Sequence, residues 1–156
     1  SFGTGRRYHI TGLFHDEHGF PTQQLDEVDT WLTRVNSKLQ NHLDEILMVE
    51  EDITLDARVA VISYGASARS TRHAVKLARQ RGKHVSMLNL LTIWPFPEEQ
   101  VEALCENVYM VVVPEMNLGQ IALEVERIVG RKKVMRVNQA NGEMINPHAI
   151  LKALEA

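Results

Sequence analysis

The sequence has 156 residues, with 17 Lys and Arg against 20 Asp and Glu for a formal charge of −3, the length of one ordinary domain. An apolar fraction of 44%, 24% charge, 9 Gly and 5 Pro exclude disordered, collagen-like and linker-dominated chains, because there is ample apolar side chain to bury. The near-neutral balance argues against a nucleic-acid binder, and no run approaches the roughly 20 apolar residues that span a bilayer as a helix.

The opening Ser1-Phe2-Gly3-Thr4-Gly5 has no initiator Met, no basic n-region and no apolar h-region. It reads as the middle of a loop in a longer polypeptide, and the protein as soluble and cytoplasmic. After a loop-rich lead-in over residues 1–21, Leu25, Val28, Leu32, Val35, Leu39, His42, Ile46 and Val49 recur at alternating three- and four-residue spacing. That spacing predicts one long amphipathic helix from about Gln23 to Glu50, occupying a 22–50 segment. Its narrow seam packs either across the chain's own domain or on another subunit, and a buried His42 needs a hydrogen-bond partner.

Residues 51–156 alternate short apolar runs with amphipathic ones, the pattern of an α/β domain with a largely parallel sheet. Arg58 to Tyr64 is the first strand candidate, followed after Gly65 by a helix from about Ala68 to Gln80 that Gly82 closes. His84 to Leu90 is the second. Trp94-Pro95-Phe96-Pro97 then breaks the chain, and Pro97 with Glu98 and Glu99 opens a helix with Val101, Leu104 and Cys105 on its apolar side. Val108 to Val113 is the third strand, ahead of a helix from Leu118 to Val129 that ends at Gly130. Val134 to Val137 is the fourth, Asn141-Gly142 a turn, and Pro147 opens a last helix through Leu154.

In such a sheet, ligands meet the loops that leave the carboxyl ends of the strands. The first, Gly65-Ala66-Ser67-Ala68, carries one glycine and small side chains ahead of a helix; its amides could hold an anion, and Ser67 also reads as a plain helix cap. Neither G-x-G-x-x-G nor G-x-x-x-x-G-K-[ST] is present. In the loop from Pro114 to Gln120, Asn117 reads as a cap for the free amides of the next helix. Glu115 is harder to place as a cap, and a strand-end carboxylate there could orient a partner loop or act as a general base. His15-Asp16-Glu17-His18 offers metal-type ligands, but in an irregular segment without a fixed face. The lone Cys105 allows no internal disulfide and no all-cysteine zinc or iron–sulfur site, and it reads as a small buried hydrophobe. Trp94-Pro95-Phe96-Pro97 joins two aromatics to two rigid prolines, a knob suited to an interdomain contact or to covering the domain's own sheet edge.

Taken together, Thr11-Gly12-Leu13-Phe14-His15-Asp16-Glu17-His18-Gly19, the run Val61 to Arg69, Leu91-Thr92-Ile93-Trp94-Pro95-Phe96-Pro97 and the run Val113 to Gln120 closely resemble the carboxyl-terminal part of the alpha subunit of 2-oxoacid:ferredoxin oxidoreductases. The resemblance is strongest to the 2-oxoglutarate synthase type, and the stretch from His15 to Gly19 points to 2-oxoglutarate over pyruvate. It implies a three-layer α/β/α unit like the carboxyl-terminal domain of transketolase, with a five-stranded, mainly parallel sheet. It also implies an enzyme complex that decarboxylates a 2-oxoacid on thiamine diphosphate, passes electrons through iron–sulfur clusters to ferredoxin and forms an acyl-CoA. The implied partners are the amino-terminal domain of the same subunit, the beta subunit and further ferredoxin-oxidoreductase subunits, with room for a homodimer and none for nucleic acid or membrane.

The family's thiamine diphosphate and Mg lie between the amino-terminal domain and the beta subunit, and the G-D-G motif that holds them is missing from this sequence. No catalytic, cofactor-binding or metal residue is therefore expected here. The expected role is to support assembly, with Trp94, Pro95, Phe96, Glu115, Asn117, Gln120, Gly65 and Ser67 as candidate residues facing neighbouring surfaces. The competing reading is a freestanding α/β module that binds a small molecule or nucleotide at the Gly65 and Gly119 loops; a third makes the chain an assembly element recruited through the long helix.

Overall fold

Apolar β-branched runs become strands where both faces of a sheet can be covered, and the amphipathic runs between them supply the cover. The computed structural model describes residues 3–6 and 9–156, which divide into two compact units, Ser1–Asp44 and Glu45–Ala156. In chain order the elements are α1 (Leu25–Gln40), α2 (Leu43–Ile46), β1 (Val49–Asp52), β2 (Val59–Tyr64), α3 (Ser67–Gln80), β3 (Val85–Leu90), α4 (Glu98–Cys105), β4 (Met110–Glu115), α5 (Gln120–Val129), a 3₁₀ turn (Arg131–Lys133), β5 (Val134–Asn138) and α6 (Pro147–Leu154).

The helix predicted from Gln23 to Glu50 is the largest correction. Asp26 and Glu27 open α1 and Lys38 closes it, so both ends suit the helix dipole. The helix stops where the Asn41 N–H bonds the Ser37 carbonyl at 2.9 Å, at an Asn-His pair of poor helix formers. After the single turn α2, residues 49–52 become β1, a strand that the periodicity hides. It lies antiparallel to β3, from Val49 opposite Leu90 to Asp52 opposite Met87. One residue, Val49, fits a helical seam and a strand equally well, and the ladder to β3 decides between them. No residue of α1 is buried. In the same unit the Phe14 ring meets Trp31 edge-on at 5.3 Å.

The second unit is a five-stranded sheet ordered β1-β3-β2-β4-β5, parallel except for β1. Val59, Val61, Val85, Met87 and Val112 face a core built with α3 and α6 through Ala74, Val75, Ile150 and Leu154. Ala60, Ile62, Leu88, Val111 and Val113 face the opposite core, with Val101 and Cys105 of α4 and Ile121, Ala122 and Val125 of α5. Helices cover both faces, so the expected three-layer α/β/α arrangement is present.

The chain steps from β2 to β3 on one side, then crosses to β4 on the other. The carboxyl ends of β2 and β4 therefore flank the point where strand order reverses, the usual place for a ligand crevice.

Cys105 lies in the second core, 1% exposed, and burial pushes its thiol up to about 11, against a weaker opposing effect of the Lys133 charge. A thiol-exchange reagent at about pH 8 is expected to leave it unmodified until the chain unfolds. Rapid labelling of the native protein would contradict this packing.

Candidate functional site

Four connections leave the carboxyl edge of the sheet, and the one after β4 is the most tightly built. Glu115 ends the strand with its side chain fully buried. Its Oε1 accepts the Ala122 N–H at 2.8 Å, and its Oε2 accepts the Ile121 N–H at 2.9 Å and the Tyr64 hydroxyl at 3.1 Å. The side chain of Asn117 completes the arrangement. Its Oδ1 accepts from Gly119 N at 2.7 Å and Gln120 N at 3.3 Å, while its Nδ2 donates to the Tyr64 hydroxyl. The amides at the start of α5 are thus satisfied by one side chain from the end of β4 and one from the loop, a compact solution to the unpaired donors of a helix start.

Asn117 caps as its sequence position suggests, and Glu115 departs from expectation. Neither a general base nor a residue facing a neighbouring surface fits a carboxylate with no exposure whose oxygens are both engaged by donors. The physical reason is the turn after β4. Gly119, at φ +104°, folds α5 back so that its amino end lies over the strand's last side chain.

Tyr64, which the sequence pattern marks only as the end of a strand, is the hub joining β2 to this loop. Burial first, and then the Glu115 charge, raise its phenol above the ordinary tyrosine value. Arg136 of β5 also escapes local pattern. Its guanidinium pairs with Glu126 at 2.7 Å, and that hydrogen bond holds the Glu126 carboxyl below its usual range. A polar-tipped aromatic at a strand end beside glycine is the signal that marks Tyr64; Arg136 has none, since its neighbours lie on other elements.

The loop after β2 is simpler. Gly65 is exposed and Ser67 is buried. Ser67 is not the cap: Ala66 holds that position without a side-chain bond, and the Ser67 hydroxyl donates to the Tyr64 carbonyl at 2.8 Å. Standing one residue inside the helix, it finds the last carbonyl of the strand as its nearest acceptor.

After β3 the chain is stitched to the segment before β1. Leu91 N and Thr92 N share the Met48 carbonyl, each at 3.0 Å, and the Thr92 hydroxyl donates to the Ile46 carbonyl at 2.7 Å. The Trp94-Pro95 peptide is cis. Phe96 packs on the second core, whereas Trp94 is 70% exposed and Leu91 and Ile93 are exposed with it. The predicted knob therefore divides: Phe96 anchors it and Trp94 stands free. Leu118, at the tip of the β4 loop, is 78% exposed, and Gln120 is exposed beside it.

Other polar clusters have internal explanations. Among the described residues no group of three or more His, Cys, Asp or Glu is placed to hold a metal ion. In the His15–His18 stretch, Asp16 Oδ1 accepts the N–H groups of His18 and Phe20, both at 2.9 Å, and these bonds lower its carboxyl pKa, the Phe20 bond most. The groove between β1 and α3 carries Glu50 and Asp52, paired with Arg72 and Arg79 respectively.

Comparison with known proteins places these features in a family. The family described as pyruvate:ferredoxin oxidoreductase core domain II matches residues 57–150. The chain is 38% identical over 154 residues to 2-oxoglutarate synthase subunit KorA of Methanocaldococcus jannaschii, covering 98% of this chain and 41% of that protein. It is 42% identical over 156 residues to the subunit of the same name from Methanothermobacter thermautotrophicus, covering 99% and 42%. This chain thus spans about two-fifths of the length of the curated relatives it matches. Among solved structures, the 2-oxoglutarate:ferredoxin oxidoreductase of Magnetococcus marinus, determined with 2-oxoglutarate, coenzyme A and succinyl-CoA bound, superposes with a TM-score of 0.82 at 23% identity, covering 98% of this chain and 27% of that one. A split-gene transketolase shares the fold at a TM-score of 0.55 and 16% identity, over 68% of this chain and 40% of its own. With a five-stranded, mainly parallel sheet as expected, a family match over most of the second unit and relatives along nearly the whole chain, the chain belongs to the pyruvate:ferredoxin oxidoreductase core domain II family.

Proposed function

We propose that this chain is the noncatalytic carboxyl-terminal domain of the alpha subunit of a thiamine-diphosphate-dependent 2-oxoglutarate:ferredoxin oxidoreductase. It supports oxidative decarboxylation to an acyl-CoA by holding the assembly together. The identity to 2-oxoglutarate synthase subunits over nearly the whole chain carries the reading. In it, thiamine diphosphate, magnesium and the iron–sulfur clusters belong to the rest of the complex. The partners are the amino-terminal domain of the same subunit, the beta subunit and further ferredoxin-oxidoreductase subunits, in the cytoplasm.

The carboxyl-edge loops supply the docking surface: Trp94 and Pro95 with Phe96 as their anchor, the tip of the β4 loop with Asn117 and Gln120, and the exposed Gly65-Ala66 turn, with Ser67 buried behind it. The competing reading, a freestanding module binding a small molecule or nucleotide at the Gly65 and Gly119 loops, is weakened at the second of these, where Asn117 and Glu115 already take the amides.

The test is reconstitution. The 156-residue chain alone is expected to give no dye reduction from 2-oxoglutarate and coenzyme A, with turnover appearing when the remaining alpha-subunit domain and the beta subunit are added. Robust turnover by the chain alone would sink the proposal. Trp94→Ala, at a solvent-facing site, is expected to shift stability by no more than about 0.5 kcal/mol and to weaken association with those partners by about tenfold or more, as loss of an aromatic anchor does. An unchanged affinity would remove Trp94 from the interface.

A further inference from the structure

The switch-point crevice of a doubly wound sheet ordinarily receives an anionic group at the amino end of the following helix. Here that place is already filled. Ile121 and Ala122 give their N–H groups to Glu115, Gly119 and Gln120 give theirs to Asn117, and Tyr64 of β2 bonds both side chains. The filling carboxylate belongs to the last residue of β4, so the strand end, the helix start and the neighbouring strand are tied at one buried point.

The loop between them has little freedom left. Gly119 lies so close to β5 that an added Cβ would stand 2.9 Å from Arg136 Nη1 and 3.0 Å from Asn138 Nδ2, and Gln139 N bonds the Glu115 carbonyl at 2.9 Å. Leu118 is left at the tip, with its side chain directed to solvent.

We propose that Glu115 is a positioning residue acting as a built-in anion. Its carboxylate takes the place of a bound ligand anion in the crevice and thereby holds residues 116–120 in the shape that docks on the partner domains. The second half rests on the function proposed above; the first half does not. A merely apolar or steric contribution from this side chain would not require the charge, and that difference is measurable.

The experiment compares Glu115→Ala and Glu115→Gln with the native chain, reading thermal unfolding and association with the remaining alpha-subunit domain and beta subunit. Each is measured in sodium acetate and in sodium chloride of equal ionic strength. Glu115→Ala leaves two buried amides and a phenol without their acceptor, so its Tm is expected to fall by about 10 °C and its association to weaken about tenfold or more. Acetate, a small carboxylate able to enter the emptied space, is expected to restore part of both in a saturable way, as a ligand of the folded state does. Chloride is expected to restore neither, and the native chain to respond to neither salt.

A folded Glu115→Ala protein with native stability, or one indifferent to acetate, overturns the proposal. If Glu115→Ala does not fold in chloride, folding in acetate supports it. If it folds in neither salt, Glu115→Gln decides. This variant keeps the shape and one acceptor oxygen but sets an NH2 group against a donor and removes the charge, so a lowered Tm and weakened docking support the need for a full carboxylate at this point, and native values of both overturn it. Should the native chain itself fail to associate, the assembly reading falls while the acetate series still decides whether Glu115 acts as the internal anion.

Discussion

Replacing Ile62 by Ala is expected to destabilise the second unit more than almost any other single substitution. Ile62 lies on β2, the middle strand of the sheet, paired in register with Leu88 of β3 and with no exposed surface. It faces the core formed with α4 and α5, where Leu88, Val101, Val111 and Val125 are also buried. Truncation removes three carbon atoms from a site enclosed by two neighbouring strands and a helix layer, which cannot move in to close the gap without breaking ladder hydrogen bonds. The loss is expected to be about 2–5 kcal/mol, transfer and cavity contributions together. That is a large part of the stability of an ordinary domain. Urea titration should show the midpoint falling with an unchanged slope. Leu118→Ala, at the solvent-facing loop tip, serves as the control and should lie within about 0.5 kcal/mol of the native protein. Similar losses at both sites would mean that the core does not lie where the burial pattern places it.

Gly119→Ala is expected to be strongly destabilising at the carboxyl edge, for two separate reasons. The backbone stands at φ +104°, a conformation that costs an L-residue roughly 1–3 kcal/mol. The added Cβ would also meet Arg136 Nη1 at 2.9 Å and Asn138 Nδ2 at 3.0 Å. Displacing Arg136 disturbs its pairing with Glu126, although a flexible guanidinium can yield where backbone could not, so most of the loss comes from the backbone. A total of about 2 kcal/mol or more follows, visible in the same urea titrations. Gly65 makes the comparison useful. It also has positive φ, at 53°, but a Cβ added there would meet nothing within 4 Å, and φ there falls in the left-handed region that L-residues visit at lower cost. Gly65→Ala should therefore cost less than Gly119→Ala, and the reverse order would refute the account of the β4 turn.

How much of this could be read from the chain alone depends on the range of the interaction involved. Three of the parallel strands, β2, β3 and β4, were legible because they are covered on both faces, which favours a mostly apolar run, as in Val59–Tyr64 and Met110–Glu115; the edge strand β5, only half-buried, shows as a short β-branched stretch between Gly130 and the Asn141-Gly142 turn. Helices α3 to α6 were legible from amphipathic spacing and from the glycines and prolines at their ends. Strand β1 was not. Val-Glu-Glu-Asp at a sheet edge carries no alternation of its own and is a strand because β3 offers it a ladder.

The candidate site divides along the same line. Asn117 as a cap and Trp94-Pro95-Phe96 as a rigid aromatic knob are properties of a few consecutive residues, and the pattern conveys them. The burial of Glu115, its bonds to Ile121 and Ala122, its tie to Tyr64 across 51 residues and the division of the knob into anchored Phe96 and exposed Trp94 are not local. Side-chain type and spacing set the alternation of strand and helix through propensity and period, which act over one or two turns. Which polar group ends up sealed inside, and which aromatic faces solvent, depends on segments far apart in sequence meeting at one edge, and only the folded sheet brings them there.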